Sequence, residues 1–136
     1  TCILQHFGKA AIRLHIPRFQ CSLPYLETHS SLLYYMTTLG VSVHTVEEAV
    51  KAEQLGATYL MASHVFPTAC KPSDPPIGVD TVEAICKAVK IPVYALGGVT
   101  PKTISQLQDV PIKGVALMSG LMTCPDVPGY LKELRA

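Results

Sequence analysis

Charge is scarce in this chain, and long apolar runs are missing. Lysine and arginine together number 11 and aspartate and glutamate 10, for a formal net charge of +1. No basic stripe crosses the sequence, so nucleic acid is not an expected partner, and no acidic block forms a tail. Apolar residues make up 49% of the chain, yet no unbroken run approaches the ~20 residues that span a bilayer. No membrane association is expected, and no signal-peptide pattern is visible. The five cysteines, Cys2, Cys21, Cys70, Cys86 and Cys124, include no C-x-x-C pair and keep no regular spacing. That pattern supports neither a disulfide framework nor a zinc site, and it makes a reducing, cytoplasmic setting the expectation. No G-x-G-x-x-G follows any apolar run, which argues against the dinucleotide-binding fingerprint.

What is present suffices for one domain over residues 1–136 with its own core. The chain opens at Thr1 and runs almost at once into apolar sequence, which suggests an upstream part. Cys2 to Gln5 reads as a short strand. Ala10 to Ile16, A-A-I-R-L-H-I, reads as another, stopped by Pro17. Arg18 to Tyr25 shows little pattern. Ser30 to Leu39 carries Leu32, Leu33, Met36 and Leu39 at roughly helical spacing.

From residue 40 the alternation is clear. Gly40 to His44 reads as a strand. Thr45 with Glu48 three residues on is a capping box, opening a helix that Gly56 stops after Leu55. Thr58 to Ala62 is a strand. Val82, Ile85, Cys86 and Val89 form an apolar helical stripe. Ile91 to Leu96 is a strand ending in Gly97-Gly98, after which Thr100 and Pro101 open a further helix. Gly114 to Met118 is a strand ending in Ser119-Gly120, and Pro125 to Arg135 is a terminal helix. Strand then helix, four times over, means parallel βα units in an α/β fold. The short units suit a (β/α)8 TIM-type barrel. A complete one takes about 250 residues, ~200 at the lean end. The expectation is therefore an incomplete parallel barrel that lacks its first βα units. Its bare parallel edges would need covering, which makes self-association, as a homo-oligomer, an expectation too.

In such sheets the residues just past the carboxyl ends of strands face the ligand crevice. The segment T-Y-L-M-A-S-H-V-F-P-T-A-C-K, Thr58 to Lys71, puts a ring, a hydroxyl, a thiol and a cation at that mouth: His64, Thr68, Cys70 and Lys71. An imidazole can give and take a proton near neutral pH; it can equally serve as a hydrogen-bonded structural residue. Cys70 has no His-Asp pattern beside it that would mark a nucleophile. His15 and His44 also close apolar runs; His44 precedes a helix cap and serves a structural role as readily as a functional one. Gly97, Gly98, Ser119 and Gly120 close two consecutive strands with small residues. Glycine lets an anion approach backbone N–H groups, and loops after late barrel strands often hold phosphate. The alternative is that these glycines only make tight turns. Lys71 could hold a phosphate or carboxylate, or lie on a solvated loop.

The motifs G-V-S-V-H-T-V-E-E-A, H-V-F-P-T-A-C-K, I-P-V-Y-A-L-G-G-V-T-P and G-V-A-L-M-S-G-L, between Gly40 and Leu121, resemble the successive signatures of the thiamine phosphate synthase/TenI family. Upstream, I-L-Q-H-F and R-L-H-I resemble the family's third and fourth strands. The resemblance implies a (β/α)8 barrel that binds a phosphorylated thiazole. The thiazole phosphate would contact Thr68, Cys70, Gly97 or Gly98, Met118 and Ser119, and a diphosphate would contact Ser42 and Lys71. Synthases of the family join a pyrimidine diphosphate to a thiazole phosphate using magnesium. They hold the metal with an Asn-Asp at the third strand end and an Asp after the fourth. Here those places read Gln5-His6 and, approximately, Pro17 to Gln20, with no carboxylate. The expectation is accordingly no metal and no cofactor, with magnesium needed only if the chain is a synthase. H-V-F-x-T-x-C-K is closer to the TenI branch, in which the histidine matching His64 would be the acid/base of a thiazole tautomerase, an isomerase. Thiamine phosphate synthesis and non-catalytic, regulatory thiazole-phosphate binding are the alternatives.

Overall fold

In the computed structural model, which describes residues 2–135, six strands lie side by side in chain order. They are β1 (Leu4–Gln5), β2 (Arg18–Ser22), β3 (Thr38–Val43), β4 (Tyr59–Ser63), β5 (Val93–Leu96) and β6 (Gly114–Ala116). Every neighbouring pair is parallel. Consecutive order with crossovers on one side is the wall of a (β/α) barrel. The helices are α1 (Gly8–Arg13), α2 (Leu23–Thr28), α3 (Val46–Gln54), α4 (Gly78–Ala88), α5 (Ser119–Met122) and α6 (Val127–Glu133). Two 3-10 helices, Ser30–Tyr34 and Ile104–Leu107, take the places of longer helices. No helix among the described residues is long and apolar enough to cross a membrane.

Alternation along each strand separates two faces of the sheet. Phe19, Leu39, Val41, Val43, Leu60, Ala62 and Ala95 are fully buried or nearly so on the helix side. The register keeps them in rows: Phe19 beside Leu39, Val41 beside Leu60, Ala62 beside Ala95. The other row is the barrel interior, and it is mixed: Gln20 beside Gly40, Gly40 beside Tyr59, Ser42 beside Met61, Tyr94 beside Gly114. Large and small residues interlock there. Tyr59 and Gln20 lean over Gly40, the Tyr59 and Tyr94 rings meet edge to face at 5.7 Å, and Gln20 Nε2 donates to Ser42 Oγ at 3.0 Å. Burial, before any other influence, pushes the Tyr59 hydroxyl's pKa up.

The Thr45–Glu48 pair caps α3 as expected, with one shift. Thr45 Oγ1 accepts from Glu48 N, but Glu48 Oε2 accepts from His44 N at 2.7 Å, one residue earlier than in a capping box. At the other end of α3, Glu53 Oε1 accepts from the N–H groups of Lys90 and Ile91. This fixes where the chain enters β5.

Three sequence expectations fail. Ala10 to Ile16 is not a strand: it lies in α1 and the turn after it, with Gly8 and Ala11 buried one turn apart and Leu14 turned outward at 66% exposure. R-L-H-I, which resembles the family's fourth strand, therefore forms no strand here, and the strand beside β3 is R-F-Q-C-S, Arg18–Ser22. Ser30 to Leu39 is not one helix. A short 3-10 turn with an exposed Tyr34 gives way at Thr38, where pairing with β2 captures Leu39 into β3. Thr100 and Pro101 open only turns and the 3-10 helix at Ile104. Thr103 closes that turn, its Oγ1 accepting from Thr100 N at 2.9 Å and donating to Gly98 O at 3.0 Å.

The interlocked inner face makes a prediction. A Cβ on Gly40 would overlap Gln20 Oε1 and the Tyr59 ring, whereas one on Gly114 would meet the Tyr94 ring at an ordinary 3.5 Å. Urea unfolding should show Gly40→Ala destabilised by about 1–3 kcal/mol, the usual cost of overpacking. Gly114→Ala should stay within about 0.5 kcal/mol of the parent.

Candidate functional site

The tips of β4, β5 and β6 gather around one cavity of about 260 Å³. Inner-face residues at the strand ends, Ser63, Leu96 and Ala116, form its floor. Its rim comes from three loops. The loop after β4 brings His64, Thr68, Cys70 and Lys71; the loop after β5 brings Gly97 to Thr100; the turn into α5 brings Leu117 to Gly120. Thus nine of the ten residues marked by sequence or resemblance, His64, Thr68, Cys70, Lys71, Gly97, Gly98, Met118, Ser119 and Gly120, share one hollow. Ser42 is the exception. It sits on β3, holds the Gln20 amide, and does not line this cavity. Val99, Thr100 and Leu117 line it as well and carry no chemical signature in the sequence; the signal available for them was adjacency to a strand tip.

Backbone pairing draws the β4 loop onto β5. Val65 N donates to Leu96 O and Phe66 N to Gly97 O, both at 3.0 Å, extending the ladder past the strand ends. The close approach explains the double glycine. Gly97 has φ +96°, and a Cβ there would come within 2.8 Å of His64 Cα. Gly98 has φ +67°, and a Cβ there would lie 2.6 Å from both Phe66 O and Pro67 O. Both positions exclude side chains for reasons of packing and backbone conformation. The same conformation leaves the N–H groups of Gly98 and Val99 without a backbone acceptor among the described residues. The first-turn N–H groups of α5, at Ser119 and Gly120, have no intrahelical partner either.

His64 is 5% exposed, and its Nε2 is enclosed with no hydrogen-bond partner among the described residues. A buried polar nitrogen without a partner is uncommon and costly. Cys70 N donates to Thr68 Oγ1, a long bond of 3.4 Å, and Lys71 N donates to Thr68 O, so Thr68 organises the rim. Lys71 is the one formally charged side chain among those lining the cavity. Asp74, in the same loop, lines a neighbouring hollow with Thr68 and Lys71. Of the other cysteines, Cys21 is held at a pKa of about 11 by burial and Cys86 is raised chiefly by burial, so neither is a ready thiolate.

Magnesium takes oxygen ligands and favours carboxylates. The strands end in Gln5-His6, Ser22-Leu23, Val43-His44, Ser63-His64, Leu96-Gly97 and Ala116-Leu117. None supplies a carboxylate, and among the described residues no three His, Cys, Asp or Glu side chains come together. The donor set of this chain does not fit a magnesium ion. The corrected position of β2 moves its tip from Pro17–Gln20 to Ser22 without changing that result.

The family model described as thiamine monophosphate synthase matches residues 12–121. Thiamine-phosphate synthase 2 of Streptococcus pneumoniae is 41% identical over 100 residues, covering 71% of this chain and 48% of that protein. A thiamine-phosphate synthase of Syntrophomonas wolfei is 32% identical over 123 residues, covering 90% and 57%. The structure of thiamine phosphate pyrophosphorylase from Pyrococcus furiosus superposes with a TM-score of 0.81 at 30% identity, covering 98% of this chain and 64% of that one. The chain spans about half the length of the curated relatives it matches.

The packing account of the double glycine separates two kinds of position. Gly97→Ala meets backbone and a left-handed φ, while a Cβ on Gly120 would meet only the tip of the Tyr130 side chain, its hydroxyl at 2.6 Å and Cζ at 3.2 Å. Gly97→Ala should lose about 2 kcal/mol or more in urea unfolding. Gly120→Ala should lose less than about 1 kcal/mol, because a flexible tyrosine tip can move.

Proposed function

The chain belongs to the thiamine phosphate synthase/TenI family, and on that footing we propose that it binds a thiazole phosphate at the tips of β4, β5 and β6 in thiamine biosynthesis. The observation that carries the reading is the convergence of three strand tips on one hollow with free backbone N–H groups and a lysine. The phosphate lies against the N–H groups of Gly98, Val99, Ser119 and Gly120, with Lys71 supplying the countercharge. Such donors suit a dianion because they are fixed before it arrives. The thiazole ring rests on Leu96, Ala116, Leu117 and Met118, with Thr68 and Cys70 at the rim. Relatives named thiamine-phosphate synthase favour a role in joining this thiazole to a pyrimidine diphosphate. Magnesium, when bound in such a reaction, neutralises the leaving diphosphate; this chain's residues do not form its site.

A second reading, a TenI-like thiazole tautomerase, is favoured by His64. A 1,3-proton shift needs one group that both gives and takes a proton beside an anchored phosphate. His64 borders the cavity, and its Nε2 has no partner among the described residues. For this chemistry the ring must turn a nitrogen toward the ligand, since Nε2 is enclosed.

Binding and turnover separate these readings. Lys71→Ala should weaken thiazole phosphate binding about tenfold, or about 1.4 kcal/mol, in equilibrium dialysis; unchanged binding would count against the site. His64→Gln should leave thiamine phosphate formation in place under the synthase reading. Under the tautomerase reading it should abolish isomerisation while binding persists. Binding with neither activity would mark a regulatory binder.

A further inference from the structure

Three buried side-chain polar atoms have no hydrogen-bond partner among the described residues: Gln20 Oε1, His64 Nε2 and the Tyr130 hydroxyl. Natural folds keep few such atoms, and each calls for a physical reason. His64 borders the cavity at the tips of β4 to β6. Tyr130, on α6, stands directly behind it. Its hydroxyl lies 2.6 Å from where a Cβ of Gly120 would be, and Gly120 lines the cavity. We propose that Tyr130 is a phosphate-binding residue, whose hydroxyl gains its partner when the ligand's phosphate reaches Gly120. This role rests on the thiazole-phosphate reading of the cavity and adds to it a donor from outside the three strand tips.

The hydroxyl has no other use in the free chain. It is closed off from water. The carbonyls of the adjoining turn are engaged already: Met118 O accepts from Leu121 N and Met122 N, and Ser119 O accepts from Thr123 N and Thr123 Oγ1. An O–H left buried and unpaired costs stability. Phenylalanine would fill the same space without that cost. A hydroxyl that weakens the free state is accounted for by a bond it makes in the bound state, since folds break such local rules mainly where they bind or react.

Gly120 makes the contact geometrically open. Without a Cβ at 120, the hydroxyl comes within about 5 Å of the Gly120 nitrogen, because Cβ and N of one residue share a Cα. A phosphate has three acceptor oxygens and can take one hydrogen bond from each group. The wall between hydroxyl and cavity is lightly held. The helix α5 has four residues, buries none of them, and has no side-chain cap at Met118. A small movement of this turn, or of the tyrosine's flexible tip, brings the hydroxyl to the anion. The bond then formed joins a neutral O–H to a charged acceptor, which is stronger than a bond between neutral groups.

Calorimetric titration of the chain with thiazole phosphate, alongside urea unfolding without ligand, tests this. Y130F should bind about tenfold more weakly, as a hydrogen bond to a charged group is lost. Its urea midpoint without ligand should equal or exceed the parent's. A purely structural role for the hydroxyl does not give weaker binding with stability kept. Parent-like affinity in Y130F would overturn the proposal, because the hydroxyl then does not touch the anion. A lower urea midpoint without ligand would also overturn it, because the hydroxyl then has a partner in the free chain. Lys71→Ala in the same series separates the two possible failures. Weaker binding in K71A with none in Y130F overturns the Tyr130 contact and leaves the cavity reading standing. No effect of either substitution, or no binding by the parent, overturns both.

Discussion

Two hydrogen bonds, from Val65 N to Leu96 O and from Phe66 N to Gly97 O, hold the β4 loop onto the tip of β5. They continue the β4–β5 ladder into what would otherwise be free loops. The pairing is possible because residues 97 and 98 have no Cβ: any side chain there would strike His64 or the carbonyls of Phe66 and Pro67. Backbone contact on that scale settles several matters at once. It seats His64 at the cavity wall and brings Thr68 and Lys71 into one lining with the β5 tip, where the Gly98 and Val99 N–H groups have no backbone acceptor among the described residues. Thr103 secures the far side of the same loop through Gly98 O and Thr100 N. The proposed phosphate cradle and the glycine pair are consequently one feature with two explanations. Packing demands glycine, and the conformation glycine adopts frees the donors.

The two sheet faces divide the labour. The helix side is an apolar core of Val, Leu, Ala and Phe that fixes the strands. The inner face carries Gln20, Ser42, Tyr59 and Tyr94, polar or amphipathic groups that tolerate a ligand-bearing interior, and it ends in small residues where a ligand would sit. This division is why one end of the sheet accumulates chemistry while the other end holds only structure. The proposed thiazole-phosphate site lies at that end, at the tips of β4 to β6.

The latter two thirds of the fold was legible in the sequence because several independent signals agreed there. Thr45 and Glu48 marked a helix start, Gly56 an end, and the strands between read as apolar runs. The first third misled because A-A-I-R-L-H-I has enough apolar residues for a strand, and only Gly8 and Ala11 reveal the buried side of a helix. R-F-Q-C-S shows little pattern in the sequence because it is not the continuous apolar run of a parallel strand buried on both faces. It alternates instead, Phe19 and Cys21 inward to the core against Arg18, Gln20 and Ser22, since its other face lines a polar barrel interior. The site was legible as a set of strand tips. What sequence could not show was that Ser42 is engaged by Gln20, that His64 Nε2 is enclosed, or that Gly97 answers to His64. Each of these depends on contacts between separate strands.

The central claim is that the tips of β4, β5 and β6 act as one anion cradle. Its most direct test is a titration of the nitrogen-labelled chain with a thiazole phosphate, followed by backbone amide resonances. The largest shifts should fall on Gly98, Val99, Ser119 and Gly120, saturating together with a single affinity. Shifts confined to other parts of the sheet, or two sets of amides saturating independently, would contradict it.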